Sequence, residues 1–255
     1  MSRLIRLLIP LSVALVAIAS SAQDQREPIA SLYDGEFYFA RLVYRNGPLG
    51  GYGRGGFGRG GGGSWTTDYP EAETHLLQGL SRLTRLDTGA EGVFVTLDND
   101  EIMNYPWLYA VEVGRWTLNE LEAAQLREYL LRGGFLIVDD FWGTQQWRGF
   151  IDSMQRVFPD RPIIDLSEEN ELLNIIYDLD FSIQIPGRSL RYEQDGHTPH
   201  WRGIYDDEDR LMVAINFNMD LGDAWEHADA PWYPEPMTGL AYRFAINYVI
   251  YSMTH

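Results

Sequence analysis

The chemistry-bearing residues of this chain are carboxylates, gathered in short clusters beside tryptophan and histidine. One cluster closes the apolar run "RGGFLIVDDFWG", where Asp139 and Asp140 precede Trp142. A second fills "NMDLGDAWEHADAPWYPEP", residues 218–236, with Asp220, Asp223, Trp225, Glu226, His227 and Trp232. A third, "DGHTPHWRGIYDD", sets His200, Trp201 and Arg202 among acids. Carboxylates with an imidazole can hold a divalent metal. Were residues 220–227 helical, Asp220, Asp223 and His227 would share one face at i, i+3 and i+7. Indoles beside Asp, Asn and Arg can stack on and hydrogen-bond a sugar or a peptide. His200 could act as a general base.

Each of these has a structural counterpart. Asp220 could cap a short helix, with Asp223 as the acidic third residue of its capping box. Tryptophans also cover cores and pin loops. His200 could be a surface residue or bonded to a carboxylate. In a strand, neighbouring side chains point to opposite faces, so Asp139 and Asp140 cannot aim one way while the strand persists. A buried carboxylate needs an Arg, a helix N-terminus or a metal beside it. The spacing matches neither an EF-hand loop nor H-E-x-x-H.

Composition removes several chemistries. There is no cysteine, hence no thiolate nucleophile and no disulfide. Every basic residue is arginine, which excludes Schiff-base lysine chemistry. No G-x-S-x-G elbow occurs, and no G-x-G-x-x-G stands between a strand and a helix. The formal net charge of −17 repels nucleic acid and anionic lipid and favours cations as partners.

The elements that must position these residues alternate between strand and helix. Residues 36–44, 93–97, 108–113, "FLIVDD", "PIIDL" and 211–217 read as six strands. Asp68-Tyr69-Pro70-Glu71 reads as a capping box opening a helix faced by Ala72, Leu76, Leu80 and Leu83. His75 falls beside that face and reads as structural. Thr117-Leu118-Asn119-Glu120 reads as a second capping box, for a helix stopping at Gly133-Gly134. Trp147, Phe150, Ile151, Met154, Val157 and Phe158 mark another helix, and Met237, Leu240, Phe244, Tyr248 and Tyr251 a closing one. This alternation predicts an α/β sandwich with a largely parallel central sheet. Residues 182–209 read as an excursion from that sheet, with Trp142, Trp201, Trp225 and Trp232 all in loops. In an open parallel sheet, ligands bind beyond the carboxyl ends of the strands. Those ends carry Asp98, Asp100, Glu112, Asp139, Asp140 and the acidic stretch after residue 217.

The opening residues have a basic front (Arg3, Arg6), an apolar middle and the exit Ser20-Ser21-Ala22. They read as a signal peptide over 1–22, cleaved to leave no stable membrane anchor. The expected location is periplasmic or secreted. A flexible segment over 23–35 and one α/β domain over 36–255 follow. Eleven glycines among the eighteen residues 47–64 are too many to pack, and predict a disordered surface loop.

The segments "FYFARLVY", "WTTDYPEAETHLLQGLSRLT", "VGRWTLNELEAAQLREYLLRGGFLIVDDFWGT", "VFPDRPIIDL", "PHWRGIYDD" and "VAINFNMDLGDAWEHADAPWYPEPMTGLAYRFAINYVIYSMTH" resemble the bacterial family called domain of unknown function (DUF) 4159. The resemblance runs from about Phe37 to His255. It implies a flavodoxin-like sandwich similar to class I glutamine amidotransferases, and an envelope setting near chaperone ATPase systems. It implies no activity. In the amidotransferases the nucleophilic cysteine follows a central strand, where this chain reads "VDDFWG", so glutamine hydrolysis by that route is excluded. The leading expectation is an exported, non-catalytic module binding glycan or peptide. The alternatives are a metal-assisted hydrolase built on the carboxylate and histidine cluster, and a structural partner in an envelope complex.

Overall fold

The computed structural model describes residues 35–49, 63–187 and 195–255. The expected signal peptide, the segment after it and the middle of the glycine-rich stretch lie outside the described residues. Gly35–His255 forms one compact unit.

In chain order the strands are β1 (Ala40–Leu42), β2 (Arg45–Asn46), β3 (Val93–Val95), β4 (Trp107–Val111), β5 (Trp116–Thr117), β6 (Phe135–Phe141), β7 (Ile164–Asp165), β8 (His200–Tyr205) and β9 (Leu211–Phe217). The helices are α1 (Glu71–Leu83), α2 (Glu120–Leu131), α3 (Gly143–Val157), α4 (Leu221–Glu226) and α5 (Glu235–Thr254). Seven strands form the central sheet in the order β3-β1-β4-β6-β9-β8-β7. The pairs from β3 to β9 are parallel, and β8 and β7 add antiparallel at one edge. The fold is therefore α/β, with a mixed, largely parallel sheet flanked by helices. β4, β6 and β9 are buried along their whole length. Strands covered on both faces read as continuous apolar runs, as "FLIVDD" and "LMVAINF" do.

Alternation sorts the side chains. Phe135 and Ile137 join Trp107, Tyr109, Trp201 and Ala214 in a core with α1, α4 and α5. Phe141 and Phe217 pack instead against Trp147 of α3. Among the described residues no helix is long and apolar enough to cross a membrane.

Five expectations need correction. The excursion expected over 182–209 does not extend through its end, because His200–Tyr205 is a sheet strand paired with β9 over its whole length. Within it Trp201 is a core residue, its ring stacked 4.0 Å from Phe244; Trp225 is likewise buried, in α4, so neither is a loop tryptophan. The second capping box sits two residues later, with Asn119 as cap and Glu122 as its partner. The first does not form: α1 starts at Glu71, and Asp68 makes no capping bond. Its backbone is left-handed (φ 65°), which turns the carboxylate away from α1. "PIIDL" contributes only the two exposed residues of β7 at the sheet's edge.

Candidate functional site

β6 and β9 are parallel neighbours, with Val138 opposite Ile215 and Phe141 opposite Phe217. Their carboxyl ends therefore deliver Asp139, Asp140 and the 220–227 stretch to one rim. Between Val138 and Phe141 the pairing slips, and Asp140 takes a left-handed backbone (φ 50°). The bulge breaks the strand's alternation. Asp139 stays on the α4 side, Phe141 moves to the α3 side, and Asp140 is left at the rim between them. Asp140 Oδ1 accepts a 2.7 Å hydrogen bond from Trp142 Nε1.

Asp139 is fully buried. Its Oδ2 accepts from the backbone N–H groups of Leu221 (2.8 Å) and Gly222 (3.0 Å) and from the Tyr109 hydroxyl (3.0 Å). The first turn of α4 thus supplies the partner that a buried acid requires. Its Oδ1 is enclosed and has no hydrogen-bond donor among the described residues. Burial, followed by the charge of Asp140, pushes the Asp139 carboxyl up to about 7, against the pull of those three donors.

Asp220 caps α4, its Oδ1 accepting from Asp223 N at 2.7 Å. It is nearly fully buried, and burial together with Asp140, Asp223, Asp68 and Asp139 raises its pKa well above the ordinary aspartate value. One turn on, His227 Nε2 lies 3.5 Å from Asp223 Oδ1 and 3.2 Å from Glu226 Oε2. The Asp220 cap forms, and His227 groups with Asp223 and Glu226 rather than with Asp220. Asp220 binds the helix end while its neighbours converge.

Sequence reasoning missed Asp68. Its carboxylate reaches from the loop before α1 to the first turn of α4. A Cβ placed on Gly222 would lie 2.2 Å from Asp68 Oδ2 and 2.7 Å from the Tyr109 hydroxyl, so only glycine leaves room for the approach. Oδ2 is enclosed without a hydrogen-bond partner among the described residues. Burial, then Asp223 and Asp140, raises the Asp68 pKa well above its usual range, with Arg41 opposing. The loop is held by Arg41, whose Nη1 donates to the carbonyls of Trp65 (3.0 Å) and Thr67 (2.8 Å). The Arg41 guanidinium, itself fully buried, pairs with Glu73. A signal was present in the sequence: an arginine inside the apolar run "FYFARLVY" must find an acid and carbonyls in the core.

The result is a mostly buried cluster of carboxylates. The ligand atoms of Asp68, Asp220 and Asp223 lie within 4.8 Å of one another, and so do those of Asp223, Glu226 and His227. Like charges this close cannot all stay ionised without protons or a cation to neutralise them. Trp232, 56% exposed, stands at the edge with its ring 4.4 Å from His227.

Other candidates lie elsewhere. Trp201 donates from Nε1 to Phe181 O within the core. Arg202 pairs with Asp165 and lies over Trp147, while His200 stacks on Phe217. Burial and Arg202 hold the His200 pKa below its ordinary value. His75 Nδ1 lies 2.8 Å from the carbonyl of Trp225, tying α1 to α4. Asp98 and Asp100 are exposed beyond β3 and belong to neither ligand group. Glu112, left-handed at the end of β4, pairs with Arg115.

No curated protein matches the chain. The model of the domain of unknown function (DUF4159) family matches residues 39–253, almost all of the compact unit just described, and the chain belongs to that family.

Proposed function

We propose that this is an exported domain whose acidic cluster binds a divalent cation. One observation carries the reading: Asp68, Asp220 and Asp223 converge beside the buried Asp139 at the rim of β6 and β9, and one enclosed oxygen each of Asp68 and Asp139 has no donor among the described residues. Buried polar atoms are nearly always partnered, and a cation would satisfy several at once. Oxygen donors with one imidazole suit Mg²⁺, Mn²⁺, Ca²⁺ or Zn²⁺. A cation held there would acidify a bound water and polarise a carbonyl, which is the chemistry of metal-assisted hydrolysis.

Export rests on the opening Arg-Leu pattern and the small-residue exit at Ala22. Kinship in fold with class I glutamine amidotransferases is supported by strand order. Counting only β1, β3, β4, β6 and β9, the order is second, first, third, fourth, fifth, as in flavodoxin-type sheets. The site would then occupy the edge where those enzymes place their cysteine.

The test is elemental analysis of purified protein, with thermal melting before and after chelation. We expect bound metal, a lower melting temperature once stripped, and recovery on adding one of these cations. A cation at a hundred times its Kd adds about 2.7 kcal/mol. Metal-free protein whose melting ignores all four ions would overturn the reading. A second reading, a glycan- or peptide-binding module, is favoured by the exposed indole of Trp232. Loss of glycan-array or peptide binding in Trp232→Ala would support it.

A further inference from the structure

We propose that the acidic cluster holds two divalent cations bridged by the carboxylate of Asp223, an inference that rests on the cation-binding reading and deepens it. The two ligand groups, Asp68 with Asp220 and Asp223, and Asp223 with Glu226 and His227, have only Asp223 in common. Within each group the ligand atoms lie within 4.8 Å of one another. That is the span one ion reaches with bonds of about 2.0–2.4 Å.

The two oxygens of Asp223 face different groups. Oδ1 lies 3.5 Å from His227 Nε2. Oδ2 lies on the side of Asp220 Oδ2: a Cβ on Gly187 would sit 3.3 Å from the one and 2.9 Å from the other. A carboxylate with one oxygen toward each group is placed as a bridge, as in two-metal sites whose ions stand about 3.5–4 Å apart. α4 enforces the arrangement, because Asp220 is fixed as its cap and Asp223 and His227 follow at one-turn intervals.

Asp139, outside both groups, supplies the independent observation: its side chain is fully buried, its Oδ2 binds the first turn of α4, and its enclosed Oδ1 has no donor among the described residues. Asp68 Oδ2, within the first group, is also enclosed without a donor among the described residues and lies against the turn at Gly222. The groups differ in kind. Asp68, Asp220 and Asp223 offer oxygen alone, which suits a hard cation. In the other, Glu226 adds a further oxygen and His227 a nitrogen, a mixed set that suits Mn²⁺ or Zn²⁺.

The experiment is titration of the chelated full chain with Mn²⁺, followed by calorimetry and low-temperature electron paramagnetic resonance. We expect two Mn²⁺ per chain and an exchange-coupled spectrum replacing the six-line signal at the second equivalent. The double variant Glu226→Gln/His227→Gln should keep one Mn²⁺ and the six-line signal, with its circular dichroism unchanged. A wild-type stoichiometry of one overturns the pair and leaves the cation reading standing. Two uncoupled ions overturn the bridge. No binding of Mn²⁺, Mg²⁺, Ca²⁺ or Zn²⁺ overturns both.

Discussion

At the scale of single residues, the site is defined by acids held against their charge. Asp139 illustrates the linkage. Its folded pKa of about 7 exceeds the unfolded aspartate value, so between the two the folded chain keeps a proton that the unfolded chain has lost. Stability of the metal-free protein therefore falls as pH rises through that window, by about 1.4 kcal/mol per unit for each such group. Asp68 and Asp220 add in the same direction. His200 opposes them, but it is one partly exposed group against three enclosed ones. We expect a lower melting temperature at about pH 8 than at about pH 5.5, with the slope flattened in Asp139→Asn. A melting temperature that climbs over this range would refute the assignment. Arg41 and Glu73 provide a second residue-scale prediction. Glu73→Ala leaves a buried guanidinium uncompensated and should cost about 3–5 kcal/mol in urea unfolding. Replacing both with apolar residues, Arg41→Met with Glu73→Leu, should recover much of that stability. It should still weaken cation uptake, because the carbonyls of Trp65 and Thr67 lose their anchor and Asp68 its position.

At the scale of elements, the long periodic segments were legible. The closing helix, α3 and the buried strands β6 and β9 fall where apolar spacing places them. β8 was not, because His200, Arg202 and Gly203 interrupt its run. What makes it a strand is pairing with β9, a tertiary fact. Asp68 was hidden by a good local pattern: Asp-x-Pro-Glu resembles a helix start, whereas its contact with the turn at Gly222 joins distant parts of the chain. Strand alternation put Asp139 and Asp140 on opposite sides, but the bulge that leaves Asp140 at the rim has no signature in "VDDF". The capping box at Asn119 offers a control away from the site. Asn119→Ala should destabilise by about 1 kcal/mol by loss of its bond to Glu122 N. Chemical unfolding would show that shift, while Mn²⁺ stoichiometry should not change.

At the scale of the whole molecule, charge dominates. A formal net charge of −17 without a single lysine makes self-repulsion a general cost to the compact state. Added salt should raise the melting temperature of the metal-free protein, since exposed charges are screened within about 10 Å at 0.1 M. Divalent cations should do so at far lower concentration if they occupy the acidic cluster rather than the surface. A Tm response to Mg²⁺ that matched NaCl at equal ionic strength would show only general screening.

The shape of the connectivity has one more consequence. Asp68 is delivered near the start of the domain, Asp139 from its middle, and Asp220, Asp223 and His227 only after β9 is in place. No shorter stretch of the polypeptide carries the full set of oxygens and nitrogen. A nascent or truncated chain would therefore be blind to the ion, and tight uptake would report that the last strand and its following turn have closed the structure.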